Sequence, residues 1–451
     1  MGRLRGALSV LVLGWPLMVV GQDAGPDKGF SADPGFAEFR KERLGGFESY
    51  KEQVAREFRE FAKLHDQVEE EYRQRISDVW AVPEESSRTR WVLYEDEYRI
   101  KKVVDFEREQ IIWSTPAGQG DTGNFGKQGA RQMLEQLMSI TRRAAFEQDE
   151  VAREVEEQSR SRFDHLETGS LDDSSPVLPA YLFGDSGAAP DRVRQAIDAM
   201  LAGARRETQE QQGQKVVSWV FPLTSGEKAL ADNNQPPEKQ APAPKPVDPD
   251  ARGAALQART IDADQLSRLP ARARPFVEAI NRENSEFQLS AELLLAIMET
   301  ESAFNPMARS PIPAFGLMQI VPASAGQDAT AKLFGKPRLL APSYLYNAEN
   351  NIRVGAAYFN ILYYRYFKGI EDPLSRLYCA IAAYNTGPGN VSLALTGSGM
   401  KLRPAIRIAN TMTPDQVYQH LLTELPYEET INYLRKVTKR LDNYQTLLSQ
   451  G

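Results

Sequence analysis

The chain has 451 residues, enough for two or three domains of ordinary size. It carries 54 Lys and Arg against 61 Asp and Glu, a formal net charge of −7, with 41% hydrophobic and 25% charged residues. That acidic balance speaks against nucleic-acid binding, which rests on neutralising phosphates. Cys379 is the single cysteine, so an intrachain disulfide and a Cys-based zinc site are excluded, and His65, His165 and His420 stand in no metal-ligand spacing. Neither a metal nor a cofactor is implied.

At the start, Arg3 and Arg5 precede an apolar run over 7–20. This reads as a secretory signal peptide over 1–21, cut after Gly21. The run is short for a spanning helix and contains Gly14 and Pro16. No cysteine follows it to accept a lipid, so the expectation is an exported, periplasmic protein without membrane attachment.

The spacing of Phe47, Tyr50, Val54, Phe58, Phe61 and Leu64 predicts a long helix over 46–80. Segments 91–94, 100–106 and 110–114 are rich in Val, Ile, Trp and Tyr and predict short strands. The glycine-rich stretch 118–129 contains Gly126-Lys127, but Asp121 and Gln128 occupy positions a phosphate loop needs for Gly and Ser or Thr, so it reads as a plain loop. Helices are predicted over 128–162 and 192–206 and a strand over 215–223. Together these make an α+β domain over 36–228, of unknown role. A Pro-rich linker follows over 229–258, with Pro236, Pro237, Pro242, Pro244, Pro246 and Pro249. Such a stretch favours an extended spacer, which few contacts should cross. From 261 to 451 the pattern is helical, predicting an all-α domain with helices over 271–284, 291–302, 349–367, 373–384, 414–422 and 428–448.

Within 291–302, Leu294, Ile297, Met298 and Glu301 fall at i, i+3, i+4 and i+7, so a carboxylate continues an apolar face. Pro306 disfavours helix just beyond, which puts Glu301 at a helix C-terminus, where the dipole opposes negative charge. Both effects raise a carboxyl pKa. Glu301 is then either a functional acid or a buried partner of Arg309 or Arg353. Glu299 points roughly opposite, into solvent. Gly316-Leu317-Met318-Gln319, Tyr384-Asn385 and Tyr433 are candidate site positions, each with a bland reading as a turn or core residue.

Taken together, Glu301-Ser302-x-Phe304-Asn305-Pro306, Gly316-Leu317-Met318-Gln319, Ala383-Tyr384-Asn385-x-Gly387-Pro388-Gly389 and Glu429-Thr430-x-x-Tyr433 resemble the SLT-type lytic transglycosylases. The chain is most similar to their membrane-bound lytic murein transglycosylase C type, which sets an α+β domain before the catalytic one. The resemblance implies a goose-type lysozyme-like fold for 261–451, with Glu301 as catalytic acid and base. It implies that Ser310, Gly316, Met318, Gln319, Tyr384, Asn385 and Tyr433 serve substrate binding, with Tyr384 close to Glu301. Pro313 and Phe315 replace a usual Gly and a smaller residue, and predict a narrower or stiffer loop over the acid.

The implied reaction is non-hydrolytic cleavage of the MurNAc–GlcNAc β-1,4 bond of peptidoglycan, leaving 1,6-anhydro-MurNAc ends. The partners expected are glycan strands and a cell-wall protein bound through the N-terminal domain, with no nucleic acid. Two other readings compete: a non-catalytic peptidoglycan-binding scaffold and a hydrolytic lysozyme. Glycosidases that hydrolyse need a second carboxylate near the bond; Glu299 faces away and Asp328 falls in a loop.

Overall fold

The computed structural model describes residues 34–118, 125–184, 188–226 and 260–449. The expected signal peptide and the Pro-rich linker lie outside them. The first element is α1 (Pro34–Ser77). Its stripe of Phe58, Phe61, Leu64, Val68, Tyr72 and Ile76 steps by three and four and is buried against Val151, Val155 and Phe163. The side chains of Phe47, Tyr50 and Val54 lie outside the described residues.

The three predicted strands form as β1 (Arg90–Glu95), β2 (Ile100–Asp105) and β3 (Gln110–Pro116). The single helix expected over 128–162 is instead three: α2 (Lys127–Ser139), α3 (Arg142–Gln148) and α4 (Glu150–Arg162). The breaks come from capping. Thr141 accepts from the Ala144 N–H and Asp149 from the Ala152 N–H, each starting a new helix. Then follow β4 (Leu166–Glu167), α5 (Val177–Phe183), α6 (Pro190–Ala202), β5 (Arg205–Gln211) and β6 (Gln214–Pro222). The sheet is antiparallel in the order β1-β2-β3-β6-β5, with Trp113 opposite Trp219. Strand β5 has the sequence RRETQEQ and no apolar alternation. It pairs with β6 alone and stays exposed at the edge, where charge is tolerated.

Beyond 260 the chain is mostly helical, as expected. Helices span Val277–Phe287, Ala291–Ser302, Ala348–Ile361, Pro373–Thr386, Pro388–Thr396, Leu402–Ala409, Pro414–Glu424 and Glu428–Ser449. It is not purely α: β7 (Arg309–Ser310) and β8 (Ala314–Phe315) form a small hairpin, and β9 (Leu339–Leu340) pairs in parallel with β4.

That last pairing belongs to an extensive junction, contrary to the expectation of few contacts. One hydrophobic core runs from Trp91 and Phe106 through Phe276 to the Glu301 helix and beyond. Arg309, only 1% exposed, donates to Glu69 on α1 at 2.7 Å and lies 3.6 Å from Asp149. Tyr346 donates to the same Asp149, and the Ser343 N–H donates to Glu156 at 2.9 Å. The spacer separates the two regions in sequence, while their buried faces are complementary in space.

Candidate active site

The helix Ala291–Ser302 begins with Ser290 capping the Leu293 N–H and ends as Ala303 turns left-handed at φ 51°. Glu301 therefore sits in its last turn. Glu301 is 5% exposed and lines a cleft of about 820 Å³. Burial pushes its pKa up to about 7; Arg88 and Tyr433 oppose the rise and Glu429 adds to it. The Tyr433 hydroxyl is buried beside the carboxyl but makes no well-formed hydrogen bond among the described residues.

The alternative partners of Glu301 are engaged elsewhere. Arg309 holds Glu69 and Asp149, and Arg353 holds Glu283 and Glu286. Among the described residues the cation paired with Glu301 is instead Arg88, between α1 and β1, whose guanidinium is 3.9 Å from Glu301 and 3.2 Å from Glu429. Glu299 does face away from Glu301, but it is not solvated. It accepts from Tyr444 at 2.9 Å and pairs with Arg272 at 3.4 Å and Arg440 at 3.6 Å, because the last helix packs on that side.

The turn after the Glu301 helix is pinned from several directions. Asn351 accepts from the Met318 N–H at 2.8 Å and donates to the carbonyls of Phe315 and Leu345. Ser302 donates to the Leu317 carbonyl at 2.8 Å. Gly316 has φ +75°, and a Cβ there would lie 2.3 Å from the Leu345 carbonyl oxygen, so only glycine fits. Tyr384 donates to the Met318 carbonyl at 2.9 Å and is thereby fixed beside Glu301.

Of the predicted site residues, Glu301, Ser310, Gln319, Tyr384 and Asn385 line the cleft together. Gln319 donates to the Ala308 and Gly316 carbonyls, which leaves its buried Oε1 without a donor among the described residues. Ser310 donates to the Ile312 carbonyl, and Asn385 accepts from Thr430 at 2.7 Å. Gly316 and Met318 do not line the cleft; Met318 is fully buried against Gly355. Nor do Pro313 and Phe315 line it. Phe315 is fully buried, edge-on to His65 and Tyr346, and points toward α1.

Sequence reasoning missed several lining residues. Phe58, Arg59 and Arg88 come from the N-terminal region; the helical spacing marks Phe58 only as a core position, and no local pattern marks Arg59 or Arg88. Asp328 lies in a helix, Gln327–Phe334, not a loop, and reaches the cleft with Tyr358 and Tyr366. Glu429 was visible within the Glu429-Thr430-x-x-Tyr433 motif. Among the described residues no cluster of His, Cys, Asp and Glu could hold a metal ion.

Residues 278–403, which contain Glu301 and the pinned turn, match the family model described as Transglycosylase SLT domain. This segment is similar to the SLT domains. The chain is 40% identical over 199 residues to the membrane-bound lytic murein transglycosylase C of Sodalis glossinidius, covering 42% of this chain and 55% of that one. It is 41% identical over 177 residues to the protein of the same name from Pectobacterium atrosepticum, covering 39% and 48%. The chain thus spans about half the length of the curated relatives it matches. Among solved structures, the 70 kDa soluble lytic transglycosylase of Escherichia coli aligns over 73% of this chain and 48% of its own, at 18% identity and a TM-score of 0.31, too loose a superposition to carry an argument. No helix among the described residues is long and apolar enough to cross a membrane.

Proposed function

We propose that this chain is a peptidoglycan lytic transglycosylase, cleaving the MurNAc–GlcNAc β-1,4 bond with formation of 1,6-anhydro-MurNAc ends. The observation that carries the reading is the state of Glu301, a cleft carboxyl that burial holds protonated up to about pH 7. A general acid needs a pKa near working pH. Protonated Glu301 gives its proton to the leaving glycosidic oxygen as the C1–O bond breaks, and the sugar's own acetamido oxygen stabilises the cationic C1. The resulting carboxylate then takes the proton from the C6 hydroxyl as O6 bonds to C1. Gln319 supports this pose, since its unpaired Oε1 suits an acetamido N–H.

The site residues divide by role. Glu301 is acid and base; Ser310, Gln319, Tyr384 and Asn385 contact the glycan; Tyr433 sits against the acid; Gly316 and Met318 hold the turn. Hydrolysis is the second reading, and Glu429 favours it, because it shares Arg88 with Glu301. Yet Glu429 is 59% exposed and ion-paired, poorly suited to activate water. We assign residues 1–21 to a signal peptide directing the enzyme to the periplasm, 36–228 to an α+β domain that receives a cell-wall protein, 229–258 to a linker and 261–451 to the catalytic domain.

Purified wild-type protein should clear a gel containing peptidoglycan. Glu301→Gln should lower the rate at least a hundredfold, the scale of general acid catalysis. A folded Glu301→Gln protein of normal activity would remove Glu301 from the chemistry, and an inert, folded wild type would favour a binding role.

A further inference from the structure

The two edges of the five-stranded sheet are finished differently. At β1 the outward backbone groups are taken by the segment 84–87. The Val92 N–H donates to the Ser86 hydroxyl at 3.1 Å, which donates back to the Val92 carbonyl at 3.4 Å, and the Ser87 N–H donates to the Arg90 carbonyl at 2.8 Å. At β5 no such cover exists among the described residues. This strand pairs with β6 alone, in unbroken register over 205–211. It carries no Pro, no Lys and no bulge, the devices that blunt a free edge. It is also the edge far from the cleft. Arg88, which reaches Glu301, leads into β1, and β5 lies four strands away, roughly 19 Å at about 4.8 Å per strand.

The ladder fixes which groups face outward. The Lys215 carbonyl accepts from the Ala117 N–H on the β3 side at 2.7 Å, so its cross-strand partner Glu210 points its own N–H and C=O away from β6. By the two-residue alternation Thr208 and Arg206 do the same. Their side chains share one face of the strand, and all three residues are exposed. Arg205 is ion-paired with Glu207 at 2.7 Å, whereas Arg206 and Glu210 have no ion pair among the described residues. The open edge thus presents a free cation, a hydroxyl and a free carboxylate at even spacing, centred on Thr208. Turned about a two-fold axis through Thr208, this row matches itself: Arg206 meets Glu210, Thr208 meets Thr208, and Glu210 meets Arg206.

We propose that two copies of this chain associate through β5, antiparallel about Thr208, so that the two sheets join into one. Each outward N–H of Arg206, Thr208 and Glu210 then finds a carbonyl of the other copy, and two Arg206–Glu210 pairs flank the axis. Opposite charges directly across antiparallel strands stabilise the pairing, and like charges oppose it. The contact is isologous and closes on itself, which gives a dimer and not a filament. A single strand edge buries little area, so the association is weak and reversible.

The test follows the full chain by sedimentation equilibrium over about 1–500 µM, the range of weak association. Wild type should show a monomer–dimer equilibrium. Thr208→Pro removes an outward N–H at the centre of the pairing and no bond to β6, and should leave monomer throughout. Arg206→Glu and Glu210→Arg each set like charges opposite one another on both sides of the axis, and should weaken self-association roughly tenfold or more. An equal mixture of those two variants restores opposite charges at both places and should recover the dimer. Thermal melts like that of wild type show that the variants fold, and the charge pair carries the test if Thr208→Pro does not. A wild type that stays monomeric over the whole range would overturn the proposal. So would a dimer that survives in folded Thr208→Pro, or a mixture of the charge variants that fails to associate.

Discussion

Glu301→Gln should stabilise the fold at alkaline pH and leave it nearly unchanged at acid pH. The folded state holds this carboxyl near 7 against a usual 4.5, mainly through burial. Below about pH 4.5 the acid is protonated in both folded and unfolded chains and contributes no difference. Between that pH and 7, the unfolded chain ionises while the fold keeps its proton, so stability falls as pH rises. Above 7 the penalty is complete. At about 1.36 kcal/mol per pH unit, the gap amounts to roughly 3 kcal/mol. Glutamine has no charge to desolvate, so the variant escapes the penalty. Thermal melts of both proteins at about pH 4.5, 6 and 8 would check this, with Tm of the variant rising progressively above that of wild type. A constant offset, or a variant less stable at pH 8, would show that the carboxyl is not held protonated by its surroundings.

Arg88→Ala should move the alkaline limb of kcat/KM to higher pH, because the guanidinium 3.9 Å from Glu301 favours the ionised, inactive form; an unmoved or lowered limb would refute that coupling. Arg309→Met should destabilise the whole chain by about 3–5 kcal/mol, since it strands two carboxylates at the junction. An unchanged melting curve would mean the junction adds little. Gly316→Ala should lower both Tm and activity, because its Cβ would press on the Leu345 carbonyl oxygen and the Asn351 amide; a variant with wild-type values would show that the turn can relax.

The Glu301 helix was legible because Glu301 breaks local rules. It continues an apolar face and sits in a last turn, and the structure shows the burial both imply. The helix starts at Ser290, Asp372 and Thr413 have an equally local origin, a side chain capping a free N–H. What failed was non-local. The helical period placed Glu299 opposite Glu301 correctly, but not that Arg272, Tyr444 and Arg440 would converge on it. Arg88 reaches Glu301 only because the N-terminal region docks on the helical one, and the Pro-rich spacer suggested the reverse. Strand β5 has the composition of a solvated helix and is a strand because β6 offers it an edge. Asp328 and Tyr366 meet through two π-helical turns, which no residue pattern in the chain announces.

The central claim is that the sugar, not water, supplies the oxygen that closes on C1. Among the cleft residues the carboxylate acting on Glu301 is Glu429, which is tied to Arg88 and exposed. Digestion of purified sacculi in ¹⁸O-labelled water, read by mass spectrometry, tests this directly. The account predicts muramic ends one water lighter than reducing ends and free of label. Reducing ends carrying ¹⁸O would show hydrolysis and contradict it.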